Sequence, residues 1–236
     1  MSFKYQEGRI KLVAFDVDGT LTVEKSAWEF AHKKFGLWKG EGEKYLDMFL
    51  SGHISYAEFA RLDALRWKGI SYEKLVNTLE EIPYISGAIE SVENIQRSGV
   101  EVALISCGLM PLVERIAKEL NIKYYVGNEL QVKNGLLTGE AKVNVSLDLE
   151  SISKGAYLKK LSKKLNITTA ETAAVGDGIG DLDMFKTAKA SLLVNCTPDH
   201  KKIIMKNIGE VKELDCISQV PDFLDFKEER KTAGQS

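Results

Sequence analysis

Leu12, Val13, Ala14 and Phe15 follow one another with no polar residue at alternate positions. A strand with one wet face alternates apolar and polar side chains, so an unbroken apolar run marks a strand covered on both faces. Further strand candidates occupy residues 100–105, 172–175 and 190–194, and helical patterns fill 88–97, 111–120 and 153–165 between them. Strand and helix in alternation predict an α/β chain, a Rossmann-like doubly wound parallel sheet with helices on both faces. Sheets of this kind place their chemistry beyond the carboxyl ends of the strands.

Two segments interrupt the alternation. Residues 23–83 read as helical throughout and hold all three tryptophans, Trp28, Trp38 and Trp67. Large aromatics dominate small cores, so the three are read as the packing centre of an inserted helical domain. Asn134-Gly135, between two alternating runs, reads as a two-residue hairpin turn. The expected division is an α/β core of residues 1–22 and 84–226, a helical insert of residues 23–83, and a flexible tail at 227–236.

Composition narrows the classes further. A 236-residue chain that is 44% hydrophobic can fill a real core, and its net charge of −2 offers no general attraction to nucleic acid or to anionic membranes. Neither is expected as a partner. Cys107, Cys196 and Cys216 form no Cys-x-x-Cys pair and are odd in number, so neither a disulfide framework nor a zinc site is expected. The expected location is a reducing cytoplasm.

The strand candidates end in polar clusters. Asp16 and Asp18 follow the first; Ser106, Cys107 and Gly108 follow the second; Asp177 and Asp181, in "GDGIGD", follow the third. Lys154 stands at the start of the helical pattern between the last two. Carboxylates that converge in this way suit Mg²⁺, a hard cation that prefers oxygen ligands. A serine hydroxyl and free backbone N–H groups ahead of Pro111 make a phosphate cradle, and Lys154 adds a point charge to it. Together they describe phosphoryl transfer, in which positioning and charge neutralisation do most of the catalysis.

The order "DVDGTLT", Ser106, Lys154, "GDGIGD" resembles the motif order of the haloacid-dehalogenase superfamily of phosphatases, over nearly the whole chain. The insert after the first motif and the hairpin after the serine resemble the cap and flap of its phosphoserine-phosphatase group. The resemblance implies Asp16 as nucleophile, Asp18 as acid and then base, and Thr20 orienting the loop and serving the phosphate site. It implies Mg²⁺ held by the Asp16 carboxylate, the Asp18 carbonyl and Asp177, braced by Asp181. Phosphate binding falls to Ser106, Cys107, Gly108 and Lys154, and the substrate is a small phosphorylated metabolite. Gly180 departs from the group, which has Asn there.

Several rival readings are weaker. A cysteine phosphatase needs Arg six positions beyond its thiol, where this chain has Val113, so Cys107 is read as a small packed side chain. His32, His53 and His200 have no ligand-spaced partners. Asp183 is read as a solvent-facing helix residue. A receiver domain is about half this length, and a dehalogenase needs neither Asp18 nor a metal. A phosphomutase, which passes the same aspartyl phosphate to a sugar hydroxyl, stays open as an alternative, as does phosphoserine phosphatase proper. Against the latter, Lys25 stands where the group has the Glu that holds the substrate ammonium, and Asp63 aligns with its carboxylate-binding Arg. Phosphoserine is therefore expected to be a poor substrate.

Overall fold

A computed structural model describes residues 9–226 of the chain, so the expected tail at 227–236 lies outside the described residues. Among these, strands β1 (Leu12–Phe15), β2 (Glu101–Leu109), β3 (Tyr124–Lys133), β4 (Leu136–Lys142), β5 (Thr172–Gly176), β6 (Ala190–Leu193) and β7 (Lys212–Glu213) form one sheet in the order β4-β3-β2-β1-β5-β6-β7. Every pairing is parallel except β3 with β4. The chain steps outward from β1 in one direction through β2 and in the other through β5. The crevice where the order reverses lies beyond the ends of β1 and β5.

The unbroken apolar run explains the central place of β1. Val13 and Phe15 face one layer with Val102 and Leu104 of β2, under α5 (Ala88–Arg97) and α6 (Met110–Glu119). Leu12 and Ala14 face the other with Ala103 and Ile105, under α7 (Lys154–Lys164), α8 (Leu182–Thr187) and α9 (Pro198–Asn207). Each large side chain so buried contributes roughly 1.5–3 kcal/mol. The short α10 (Val220–Phe223) closes the first layer. None of the described helices is long and apolar enough to cross a membrane.

The insert folds as α1 (Ala27–Lys34), α2 (Glu43–Leu50), α3 (Tyr56–Arg66) and α4 (Tyr72–Glu80). Ser26, Ser55 and Ser71 cap α1, α3 and α4 by accepting from the backbone N–H of Glu29, Glu58 and Lys74. Trp28 and Trp67 stack in its interior at 5.2 Å, whereas Trp38 is only half-buried. Asn134 and Gly135 turn the β3–β4 hairpin with φ of 54° and 77°, as a two-residue turn of this sequence requires. The hairpin also meets the segment between α3 and α4: Gly69 N donates to Leu137 O, Leu137 N to Ile70 O and Tyr72 N to Gly135 O, at 2.8–2.9 Å.

The strand expected at 100–105 continues to Leu109. Its register against β3 shifts between Ile105 and Leu109, so Ser106, Cys107 and Gly108 occupy a bulge at the strand end. Helix α6 begins only at Met110. A bulge re-aims side chains without ending the strand, and its sequence signature is that of a turn.

Candidate active site

Asp16 follows directly on β1, and its N–H donates to Val175 O of β5 at 2.9 Å. Its carboxylate therefore stands in the switch-point crevice. Lys154, the first residue of α7, reaches across from the neighbouring layer and lies 2.6 Å from both Asp16 Oδ1 and Asp181 Oδ1. The three side chains are buried. Burial opposes the Lys154 charge, but Asp16 and Asp181 outweigh it and hold the ammonium well above its usual pKa range. Burial raises the Asp16 carboxyl well above the ordinary carboxylate range. Lys154 pulls it down, while Asp181, Asp177 and Asp18 push it further up.

One carboxylate oxygen each from Asp16, Asp177 and Asp181 lies within 4.8 Å of the others. An all-oxygen set with surplus negative charge fits a hard divalent cation, and no histidine or cysteine belongs to the cluster among the described residues. Asp181 is also the internal brace of its loop, because its Oδ2 accepts from Asp177 N at 3.0 Å and Gly178 N at 3.1 Å. Burial, followed by Asp181, pushes Asp177 up to about 6 against the pull of Lys25.

The Asp18 side chain turns away from this trio. Its Oδ1 accepts from Ala27 N at 2.6 Å and its Oδ2 from Ser106 Oγ at 3.1 Å, and burial raises its pKa against those bonds. Ser106 Oγ in turn accepts from Gly108 N at 2.8 Å. Gly108 leaves room for this contact, since a Cβ there would sit 2.1 Å from Asp18 Oδ2. Thr20 is fully buried, and its Oγ1 has no partner among the described residues.

Cys107 contributes its backbone more than its sulfur. Its side chain packs on the second core layer, and burial pushes the thiol up to about 12, far from a thiolate nucleophile. Its carbonyl oxygen accepts from Trp28 Nε1 at 3.4 Å, from Asn128 Nδ2 at 2.8 Å and from Tyr56 Oη. Asn128, buried in β3, also accepts from Asn144 N and Val145 N at 2.8 and 2.9 Å, which pins the segment after the hairpin to the Ser106–Gly108 bulge. Tyr56 and Asn128 carry no local motif; they reach the loop from 51 and 21 residues away.

Two sequence expectations need correction. Asp183 is half-buried rather than simply turned to solvent: its Oδ2 accepts from Gly155 N at 2.9 Å and from Ser153 Oγ, holding the end of α7 that carries Lys154. The side-chain-free Gly155 brings α8 this close, since a Cβ there would lie 2.3 Å from Asp183 Oδ2. Asp63 does not face a substrate. It is fully buried, 3.0 Å from His32 Nε2, and His32 Nδ1 accepts from Trp67 Nε1 at 3.1 Å. Trp can only donate, so His32 Nδ1 is the acceptor of that bond. The α3 periodicity that buries Phe59 and Ala60 buries Asp63 as well.

The chain matches the haloacid dehalogenase-like hydrolase family over residues 13–186. It is similar to the phosphoserine phosphatase of Methanocaldococcus jannaschii, 32% identical over 182 residues that cover 77% of this chain and 84% of that one. The Lactococcus lactis phosphoserine phosphatase is 29% identical over 202 residues, 84% of this chain and 90% of its own. The Archaeoglobus fulgidus phosphoserine phosphatase is 28% identical over 200 residues, 85% of this chain but 55% of its own. Among solved structures, a phospho-aspartyl intermediate analogue of phosphoserine phosphatase superposes with a TM-score of 0.76 at 27% identity, covering 91% of this chain and 99% of that one. The family match takes in β1, β2, α7 and β5 with the side chains they present, and the chain therefore belongs to the haloacid dehalogenase-like hydrolases, as one of their phosphatases.

Proposed function

We propose that the chain hydrolyses a small phosphorylated metabolite with Asp16 as nucleophile and Mg²⁺ as its metal. The observation that carries this reading is the Asp16 carboxylate itself, buried at the switch point, held by Lys154 and flanked by two further carboxylates. Asp16 attacks phosphorus, and the bond to the leaving oxygen breaks as the aspartyl phosphate forms. Asp18, its pKa raised by burial, gives the leaving oxygen a proton and then takes one from the water that attacks the intermediate. Ser106, the Cys107–Gly108 backbone and Lys154 hold the phosphoryl oxygens, and the Ser106 hydroxyl can rotate from Asp18 towards them. The Thr20 hydroxyl, without a partner among the described residues, is a further donor on the loop that carries Asp16 and Asp18. Asp16, the Asp18 carbonyl and Asp177, with Asp181 as brace, would hold Mg²⁺, which when bound would supply neutralising charge to the transferring group.

The cap boundary belongs to the same proposal. Val23 N donates to Pro83 O at 3.1 Å and Ile85 N to Leu21 O at 2.9 Å, so the two crossing segments pair side by side, consistent with a cap of residues 23–83. The three unpaired thiols support a reducing cytoplasm as its location.

The relatives' names favour phosphoserine as substrate, but the charges favour another phosphomonoester. A bound phosphoserine needs an anion for its ammonium and a cation for its carboxylate. Lys25 stands at the mouth of the site, Arg61 is engaged bidentately by Glu58 at 2.8 Å, and Arg66 makes a single contact to Glu41 through Nη1. In a phosphate-release screen of small phosphorylated metabolites, kcat/KM for phosphoserine is expected below about 10⁴ M⁻¹s⁻¹, with another compound above it. A higher value for phosphoserine restores the relatives' activity. Isomer formation without free phosphate in the same screen identifies a mutase.

Chelation tests the metal. Activity is expected to vanish in excess chelator and return with Mg²⁺, while Ca²⁺, which takes more ligands at longer distances, inhibits. Full activity in chelator removes the metal from the reading.

The phosphate loop has its own test. Gly108→Ala puts a methyl group into Asp18 and parts it from Ser106 and Ala27. Turnover is expected to fall about 100-fold with unchanged circular dichroism, and a wild-type rate places Asp18 outside the chemistry.

A further inference from the structure

Lys25 lies in the segment that leaves the core for the cap, directly before the α1 cap residue Ser26. Its Nζ donates to Asp177 Oδ2 at 2.6 Å and to the Asn195 carbonyl oxygen at 2.6 Å. Asn195 adopts φ 49° and donates from its side chain to Gly19 O at 3.0 Å, so the loop after β6 is fastened to the loop after β1 with its carbonyl presented to the ammonium. The contact is built from three segments of the chain.

The two lysines of the site differ in how firmly they are held. Lys154 is 4% exposed and locked between Asp16 and Asp181, whereas the Lys25 side chain is 44% exposed on a flexible stem. Four of the six carboxylate oxygens are already engaged: Asp16 Oδ1 and Asp181 Oδ1 serve Lys154, Asp181 Oδ2 serves two backbone N–H groups, and Asp177 Oδ2 serves Lys25. A divalent cation that enters through Asp177 meets an ammonium already on that residue.

We propose that Lys25 is a built-in competitor of the metal: its ammonium holds Asp177 in the metal-free protein and must leave when the divalent cation binds. The inference rests on the metal reading of the Asp16–Asp177–Asp181 cluster. Its consequence is a site kept in shape by the chain's own cation before metal arrives, at the expense of metal affinity. Lys25 acts here as a positioning residue, through Asp177.

Calorimetric titration of Mg²⁺ into the full chain tests it without reference to turnover. Lys25→Met is expected to tighten binding about tenfold, by removing a like charge at contact distance, and Lys25→Arg to stay near wild type. Unchanged or weaker binding in Lys25→Met overturns the proposal. Asp177→Asn separates the two readings. If it weakens Mg²⁺ binding while Lys25→Met does not tighten it, only the competitor role falls. If neither wild type nor variant binds Mg²⁺, the metal site falls with it. Acetic anhydride labelling of wild-type protein, read by mass spectrometry, gives a second measurement. Mg²⁺ is expected to raise acetylation at Lys25 several-fold, and no rise overturns the proposal.

Discussion

Asp16→Asn is expected to lower turnover by roughly three to six orders of magnitude, the scale seen when a covalent catalyst is removed. The substitution keeps the shape of the side chain and takes away its nucleophilic oxygen, one donor to the cation site and one negative charge. Folding should survive, because Asp16 sits among three other carboxylates and its own charge is opposed by burial. Lys154 keeps Asp181 as a partner at 2.6 Å. Thermal unfolding in chelator is therefore expected to occur at or above the wild-type temperature while kcat collapses. A variant that keeps more than about a tenth of the wild-type rate is not one that has lost its nucleophile.

Lys154→Ala is expected to damage stability and rate together. Removing the ammonium leaves Asp16 and Asp181 buried and facing each other without the cation between them. Breaking a buried ion pair by deleting one partner costs about 3–5 kcal/mol, most of it from the stranded charge. Urea unfolding of the variant in chelator should show that loss. Mg²⁺ should return part of it, since a second cation then faces the same carboxylates. Turnover should stay low even where Mg²⁺ restores the fold, because the charge on the transferring phosphoryl oxygens is no longer neutralised from that side. An unaltered rate with weaker substrate binding assigns Lys154 to anion attraction alone.

Much of this arrangement was legible in the chain, and the physical reason is locality. The β1 run, the Asn134-Gly135 turn and the order of the polar clusters are each decided within a few residues, and the sheet order and hairpin agree with them. The parts that escaped are joined over long separations. Lys25 meets Asn195 across 170 residues, and Tyr56 meets Cys107 across 51, with no local pattern to announce either. Ser106, Cys107 and Gly108 carry the composition of a turn, yet parallel pairing with β3 carries the strand through them as a bulge. Asp183 looked outward by helical position, but the close approach of α7 at Gly155 gave its carboxylate two donors. Asp63 aligns with the group's Arg by linear alignment on "SGHISYAEF", which does not show which way a helix face turns, and the His32–Trp67 pair draws that face inward.

The Cys107 carbonyl, gripped by Trp28 and Tyr56 from the cap and by Asn128 from the sheet, bears on how such enzymes can be rebuilt. A cap is often treated as an exchangeable module that chooses the substrate above a self-sufficient catalytic base. In this chain two of the groups that orient the Cys107 peptide belong to the proposed cap. A graft that carries a new specificity but no donor at positions 28 and 56 would leave that peptide to solvent and to Asn128. Selectivity and rate are thus inherited together, and a recombination library built at the cap borders should hold Trp28 and Tyr56 constant while it varies the rest.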